Sequence, residues 1–154
     1  MPQMLQLIAT YLKEVNHSAK LKNFENAFYS HPNYPSLLAI TDSLTSIEIE
    51  NIAANVPFNQ INQLPNTFIA FLKIENEDCF LVKKVNNQFL IENEKKTKKI
   101  LKIGELESYW TGVILLLEEN EEKQHTFFSE KSTLLVPFLL GFLAIVAIFF
   151  GNLN

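Results

Sequence analysis

The chain has 154 residues, 17 acidic and 13 basic, and a formal net charge of −4. All the basic residues are lysine, so the chain lacks the side chain that usually binds phosphate or guanine in a bidentate manner, and we expect no nucleic-acid partner. Its four glycines are too dispersed for a GxGxxG fingerprint or a P-loop, so we expect no nucleotide. Cys79 is the only cysteine, which excludes an intrachain disulfide and a cysteine-built zinc site, and we expect no cofactor.

Three apolar stripes at helical spacing predict three helices at the start of the chain. Ser18 and Ser36 are the expected N-caps of the second and third helices. The segment His31-Pro32-Asn33-Tyr34-Pro35 separates these two helices, because a residue that precedes proline avoids the helical region. The stripes consist of Leu5, Ile8, Leu12 and Val15, then of Leu21, Phe24 and Phe28, then of Leu37, Ile40, Leu44 and Ile47.

The following residues, up to Leu117, predict an antiparallel sheet and therefore an α+β fold. Asn86-Asn87 lies between two apolar runs and predicts a hairpin turn. We expect one helical turn capped by Asn59 in the connector 57–65, and another over 104–109. The expected strands are 51–56, 67–74, 79–85, 88–92, 98–103 and 112–117.

The C-terminal part of the chain is its most apolar segment. From Leu134 to Phe150 it reads LLVPFLLGFLAIVAIFF, without a charged side chain. Together with Ser132, Thr133 and Gly151, this segment is about 20 residues long, which is enough for a helix to cross the hydrocarbon core of a membrane. We therefore predict a transmembrane helix over 132–151, an acidic linker over 118–131 and a folded domain over 1–117. The alternative, a buried core helix, is disfavoured because a helix apolar on all sides would need more protein around it.

The N-terminus contains no apolar stretch typical of a signal peptide. Lys123 and Lys131 precede the predicted span and no lysine follows it, which favours a cytoplasmic location for the folded domain. We thus expect a single-pass membrane protein. Because only four residues follow Phe150, the chain would be either tail-anchored or the front part of a longer membrane protein.

The motifs HPNYPSLLAITDSL, LPNTFIAFL, CFLVKKV, FLIEN and LESYWTGVILLLEE follow one another in the chain. In this order they resemble the papain-like peptidase family that cleaves double-glycine leaders from bacteriocin precursors. The resemblance is closer still to a degenerate copy of that domain at the N-terminus of bacterial membrane proteins fused to a vitamin K epoxide reductase-like domain. It covers roughly residues 18–118 and implies a papain-like fold.

The resemblance also implies which chemistry is missing. The family uses a cysteine at a helix N-terminus, a histidine at the start of a strand, an aspartate on the next strand and a glutamine near the cysteine. Residues 1–78 contain no cysteine, and Cys79 stands where the histidine is expected. The aspartate position falls near Glu92 or Asn93. The family's fold is thus expected without its triad, and we predict no catalytic residue.

Two weak catalytic alternatives remain open. Cys79 could act as a nucleophile, although a small buried side chain is the favoured interpretation. His31 could act as a base paired with Ser36, although a local turn role is favoured. His17 and His125 lie beside polar stretches and are expected to be solvated. The three histidines form no metal-binding motif, so no metal is predicted.

Two surface features could bind a partner. Tyr34, Tyr109 and Trp110 are predicted to line a peptide groove between the helices and the sheet, with core packing as the favoured alternative. The basic cluster Lys95, Lys96, Lys98 and Lys99 is expected at an exposed hairpin end, and an anionic lipid surface is its functional alternative.

These observations lead to three hypotheses for function. The favoured one is a non-catalytic, membrane-tethered, peptidase-like domain that binds a peptide or a partner protein. It could be the N-terminal module of a thiol-disulfide membrane oxidoreductase. The second is an active membrane-bound cysteine peptidase that cleaves leaders with Cys79. The third is a tail-anchored scaffolding subunit that docks another membrane protein.

Overall fold

A computed structural model of the chain describes residues 3–74 and 78–120. These residues form four α-helices, six β-strands and two 3-10 turns. The helices are α1 (Gln3–Glu14), α2 (Leu21–Ser30), α3 (Leu37–Ser46) and α4 (Ile103–Tyr109), and the 3-10 turns span Ser18–Lys20 and Phe58–Gln63. The strands are β1 (Asn51–Asn55), β2 (Thr67–Leu72), β3 (Asp78–Val85), β4 (Gln88–Glu92), β5 (Lys98–Leu101) and β6 (Trp110–Leu117).

The three N-terminal helices form where the apolar stripes predict them, but only one of the predicted caps is present. Ser36 Oγ accepts a hydrogen bond from the Ala39 N–H at 3.1 Å, which confirms the cap of α3. The cap predicted at Ser18 is wrong, because Ser18 opens a 3-10 turn and α2 begins three residues later. The cap predicted at Asn59 is also wrong, since that 3-10 turn follows Pro57 without a side-chain cap.

The six strands form one antiparallel sheet in the order β1-β6-β2-β3-β4-β5. The predicted α+β class is therefore confirmed. Asn86 and Asn87 have φ values of 46° and 64°, so both residues of the β3–β4 turn are left-handed, as a tight hairpin requires. The last strand begins at Trp110, two residues before the predicted start, because Trp110 pairs with Leu72 of β2.

The sheet separates two apolar layers, because successive side chains of a strand point to opposite faces. On one face, which we call the helix face, Ile69, Leu81 and Leu115 join the buried side chains of the helices. On the other face, Phe68, Ile114 and Leu106 of α4 are buried outside that cluster. The strands are therefore apolar on both sides over the centre of the sheet.

Tyr11 of α1 links the helical layer to two strands through its hydroxyl group. The Tyr11 O–H donates to the Thr67 carbonyl oxygen at 3.0 Å and accepts from the Leu117 N–H at 3.2 Å. Extending the β2–β6 register would place Thr67 opposite Leu117, where no direct pair forms. The hydroxyl thus bridges the two strands where their ladder ends, and Tyr11 is fully buried.

The predicted C-terminal segments lie mostly outside the described residues. Of the linker predicted over 118–131, the first residues belong to the fold: the Glu118 N–H donates to the Glu50 carbonyl oxygen at 2.9 Å, and the Asn120 N–H to that of Val15 at 3.0 Å. Over the two ranges that the structure describes, no helix is long and apolar enough to cross a membrane. The predicted span over 132–151 and His125 lie beyond those ranges.

Candidate functional site

Cys79 occupies the start of β3, the position that the resemblance assigns to a histidine. It pairs with Phe71 of β2 and is only 8% exposed. Its side chain lies on the helix face, in the same buried cluster as Leu5 and Ile8 of α1. The sulfur therefore belongs to an apolar layer, consistent with the small-hydrophobe interpretation.

Glu92 and Asn93, the two residues near the family's aspartate position, interact with groups of the β4–β5 hairpin. Glu92 is opposite Leu81, is 7% exposed, and its carboxylate lies 3.4 Å from the Lys98 ammonium group. Asn93 Oδ1 accepts hydrogen bonds from the backbone N–H groups of Lys95 and Thr97, both at 3.0 Å. Glu92 thus forms an ion pair between neighbouring strands, and Asn93 closes a turn.

The structure places the two described histidines on other elements. His31 follows α2; its Nε2 lies 3.2 Å from Asp42 Oδ2, and its Nδ1 accepts from the Asn33 N–H at 3.1 Å. Accepting at Nδ1 leaves the Nε2–H as the donor to Asp42. Ser36 Oγ is bonded to the Ala39 N–H instead of forming the predicted pair with His31. His31 therefore has the local turn geometry that was the favoured alternative, and a catalytic role stays a prediction.

His17 is buried, which makes the expectation of a solvated side chain wrong. It is 6% exposed, and its Nε2 lies 3.1 Å from the carbonyl oxygen of Glu118. The contact joins His17, three residues beyond the end of α1, to the residue that follows β6. The sequence around His17 is polar, but the local sequence does not show that the end of β6 covers it.

We expect acidification to destabilise the protein through His17. Burial lowers the pKa of His17 below its ordinary value of 6.5 and outweighs the hydrogen bond to Glu118, which acts in the opposite direction. With a lowered folded-state pKa, the unfolded chain binds more protons between the two pKa values. The contribution of His17 to stability is therefore complete above the unfolded-state pKa and is lost as the pH falls towards the folded-state value.

Urea unfolding at about pH 7.5 and about pH 5.5 measures this effect in the wild type and in His17→Gln, whose amide can still donate to Glu118. The free energy of unfolding should fall more in the wild type than in the variant. An equal fall in the free energy of unfolding in both proteins would show that the protonation of His17 is not the cause.

A cavity of about 330 Å³ lies on the helix face, next to the strand position of Cys79. Phe71 lines the cavity and is the strand partner of Cys79. Thr111 also lines the cavity, and its hydroxyl group donates to the Phe71 carbonyl oxygen, which joins the end of β2 to the start of β6. The complete lining consists of Leu37, Phe71, Lys73, Thr111 and Val113. An apolar cleft with one ammonium group and one hydroxyl group suits a peptide segment with small or apolar side chains.

The three aromatic residues predicted to line a groove lie in separate surroundings. Tyr34 packs against Phe28, with ring centroids 5.0 Å apart. Trp110 contacts Phe58 and donates from Nε1 to the Val56 carbonyl oxygen at 2.8 Å. The ring of Trp110 also contacts Phe68, which points away from the helix face. Each ring thus has a packing role, and a role in peptide binding stays a prediction.

The basic cluster lies on the edge strand β5 and in the turn before it, and its Lys99 contacts Tyr109, the last residue of α4. The Lys99 ammonium group is 5.9 Å from the centroid of the Tyr109 ring, within the range of a cation–π contact. The cluster is exposed, as predicted, and Lys98 pairs with Glu92. Its alternative role at an anionic lipid surface stays a prediction. Over the described parts of the chain, no group of three or more His, Cys, Asp or Glu side chains could hold a metal ion.

The cleft residues were not singled out from the sequence, although the sequence contains signals for them. Phe71 and Lys73 lie in a predicted strand, and Thr111 belongs to the quoted motif that ends the domain. Leu37 and Val113 appear in the sequence only as ordinary apolar residues. Their convergence depends on the pairing of β2 with β6 and on the placement of α3, which the sequence pattern does not specify.

The family model of the peptidase C39 family matches residues 4–122. The chain therefore belongs to the peptidase C39 family, as the order of its motifs predicts. No curated protein matches the chain.

Solved structures of bacterial peptidase domains share this fold at low sequence identity. The peptidase domain of Streptococcus ComA, a bifunctional ABC transporter of a quorum-sensing pathway, aligns with a TM-score of 0.56 at 16% identity, over 74% of this chain and 88% of its own. A double-glycine-motif protease from an AMS/PCAT transporter, solved in complex with the leader peptide, aligns with a TM-score of 0.59 at 11% identity over 74% and 81%.

The N-terminal peptidase C39-like domain of a toxin secretion ATP-binding protein from Vibrio parahaemolyticus is similar in the same way. It aligns with a TM-score of 0.54 at 12% identity, over 77% of this chain and 97% of its own. At these identities the three structures establish the fold.

Proposed function

We propose that this chain is a non-catalytic, membrane-tethered member of the C39 family that binds a peptide in the cleft beside Cys79. The proposal is supported by the sequence differences from the family's triad within the C39 fold. Cys79 is buried at the strand position assigned to the histidine, and β3, β4 and β5 contain no histidine. A thiol becomes a nucleophile when a general base such as an imidazole activates it, and none of these three strands supplies one.

The cleft supports a binding role. Its walls are mostly apolar, and it lies between the start of α3, the end of β2 and the start of β6. One relative of the same fold is a protease in complex with a leader peptide. We infer that a leader-like or partner peptide is the ligand here.

The membrane tether is the second part of the proposal and depends on the apolar segment 132–151. Attachment to a membrane would keep the domain close to membrane-bound partners. We further propose that the chain is the N-terminal module of a longer thiol-disulfide membrane enzyme, for which the sequence resemblance is the support. Reading the gene beyond codon 154 tests this module hypothesis, and further apolar spans with a CxxC motif are expected there.

A matched pair of valine variants tests peptide binding by calorimetry with a synthetic double-glycine leader peptide. Val113→Phe fills part of the cleft and should exclude one side chain of the peptide. We expect the dissociation constant to rise roughly tenfold or more, because losing one well-packed contact costs about 1.4 kcal/mol or more of binding free energy. Val85→Phe makes the same change on an exposed residue of β3 and should leave binding unchanged. Equal affinities of both variants would place the peptide elsewhere.

A cleavage assay tests the non-catalytic part. We expect neither the wild type nor Cys79→Ser to cleave the leader peptide, because Cys79 is enclosed in the apolar layer. Mass spectrometry of the peptide after prolonged incubation measures the outcome. Cleavage by the wild type that is lost in Cys79→Ser would instead establish the alternative of an active cysteine peptidase.

A further inference from the structure

The two edge strands of the sheet differ in how they are protected. The edge strand β5 carries the exposed residues Lys98 and Lys99, which discourage pairing with another chain. The edge strand β1 has the sequence Asn-Ile-Ala-Ala-Asn, without a charge or a proline. Among the described strands, none pairs with the outer edge of β1. Within the described residues, the sequence of this edge thus lacks the charge and the proline that commonly prevent association.

The hydrogen bonds to β6 determine which groups of β1 point outward. The Val56 N–H donates to the Gly112 carbonyl oxygen at 2.8 Å, and the Glu118 N–H donates to the Glu50 carbonyl oxygen at 2.9 Å. In an antiparallel ladder such pairs alternate, so Ile52 and Ala54 also bond to β6. The outward N–H and C=O groups therefore belong to the intervening residues Asn51, Ala53 and Asn55.

We propose that a second copy of this chain pairs with this edge, antiparallel, about a two-fold axis at Ala53. The strand sequence is nearly symmetric about Ala53. The axis places Ala53 opposite Ala53 of the second copy and Asn51 opposite Asn55 of the second copy. Each of these pairs can exchange two backbone hydrogen bonds. Small and amide side chains then face each other, without a like-charge contact.

The proposed pairing of the two β1 strands cannot extend beyond either end of the strand. The next outward positions are Ile49 and Pro57, which would lie opposite each other. Pro57 has no N–H, and the Ile49 N–H already donates to the Leu44 carbonyl oxygen at 3.0 Å. Glu50 would lie opposite Val56 and so would not meet another acid. The edge therefore offers a short, self-terminating strand.

Helix α3 borders the same edge and provides an apolar side chain. Asn51 Nδ2 donates to the Thr41 carbonyl oxygen at 3.2 Å and to Thr45 Oγ1 at 3.1 Å, so this side of α3 lies over β1. Leu38 precedes Thr41 by three residues and is 53% exposed. The two-fold axis would bring both α3 helices to one face of the joined sheet, and we expect Leu38 to be less exposed in the dimer than in the single chain.

Register-specific crosslinking of the full chain tests the proposal. In a Cys79→Ala background, Ala53→Cys should crosslink to itself with a short thiol-to-thiol reagent, because paired Cα atoms lie about 5.5 Å apart. Asn51→Cys and Asn55→Cys should not crosslink alone but should crosslink when mixed. Failure of the mixed pair, or efficient crosslinking of Asn51→Cys with itself, overturns the proposed register.

A proline variant tests the role of the edge itself. Ala53→Pro removes an outward N–H while leaving the bonds of β1 to β6, and it should raise the dimer dissociation constant roughly tenfold or more in sedimentation analysis. Ala53→Val keeps the N–H and should remain dimeric, with circular dichroism as the check of folding. If Ala53→Pro is folded and as dimeric as Ala53→Val, the edge is not the interface. A monomeric wild type, as expected if the edge binds only a foreign strand, also overturns the proposal.

Discussion

Replacing Gly112 by alanine should lower the free energy of unfolding by about 2–4 kcal/mol, from backbone strain and overpacking together. Gly112 has a φ of +93°, which side-chain-bearing residues rarely adopt. A Cβ atom at this position would lie 2.2 Å from Asn55 Oδ1. Asn55 is exposed and can rotate away, but the strain on the backbone of β6 remains. Urea denaturation measures the change.

Gly104 provides the matched control for this prediction. It lies in α4, and a Cβ atom there would meet nothing within 4 Å. Gly104→Ala should therefore raise the free energy of unfolding by about 0.5 kcal/mol, because alanine favours a helix more than glycine does. The double variant Gly112→Ala/Asn55→Ala removes the collision and should recover only part of the loss. A Gly112→Ala variant as stable as the wild type would refute the proposed strain.

Replacing Tyr11 by phenylalanine should cost about 2–4 kcal/mol, although the substitution removes a single oxygen atom. The hydroxyl group accepts from the Leu117 N–H and donates to the Thr67 carbonyl oxygen, so its loss leaves a buried N–H group and a part-buried carbonyl group without this partner. Burial raises the pKa of Tyr11, which keeps the hydroxyl protonated as a donor. Thermal unfolding and hydrogen exchange of the Leu117 amide measure the outcome.

Tyr29 is the control for Tyr11 because it is 47% exposed. Tyr29→Phe should change the free energy of unfolding by no more than about 0.5 kcal/mol. The Leu117 amide should exchange faster in Tyr11→Phe only. Equal effects of the two substitutions would show that the hydroxyl bridge between β2 and β6 contributes little.

The local sequence predicts those helices and turns whose apolar spacing, cap or turn residues lie within a few neighbouring positions. The stripe of α1 and the Ser36 cap of α3 are both present as predicted, and so is the hairpin at Asn86-Asn87. The caps expected at Ser18 and Asn59 are absent. A 3-10 turn forms at Ser18, where the cap of a helix was predicted, and the helical turn predicted in the connector 57–65 is a 3-10 turn that follows Pro57. The local pattern does not distinguish a 3-10 turn from the first turn of an α-helix.

The functional site was predicted less completely than the fold. Cys79 and Glu92 were located on their strands by the resemblance, and both are buried in the structure. Tyr34 and Trp110 belong to separate aromatic clusters, and the cavity is lined by other residues. A side chain's face depends on the register of its strand, and a single-residue shift reverses that face.

The sequence by itself determined the α+β class, the order of the elements, the family and the absence of a cysteine before position 79. These properties follow from apolar periodicity, turn residues and residue identity, which act over a few neighbouring positions. Only the tertiary structure decided that Tyr11 bridges β2 and β6, that His17 is buried under the end of β6, and that no other described strand pairs with the outer edge of β1. Each of these depends on contacts between residues far apart in the chain, which the local sequence does not encode.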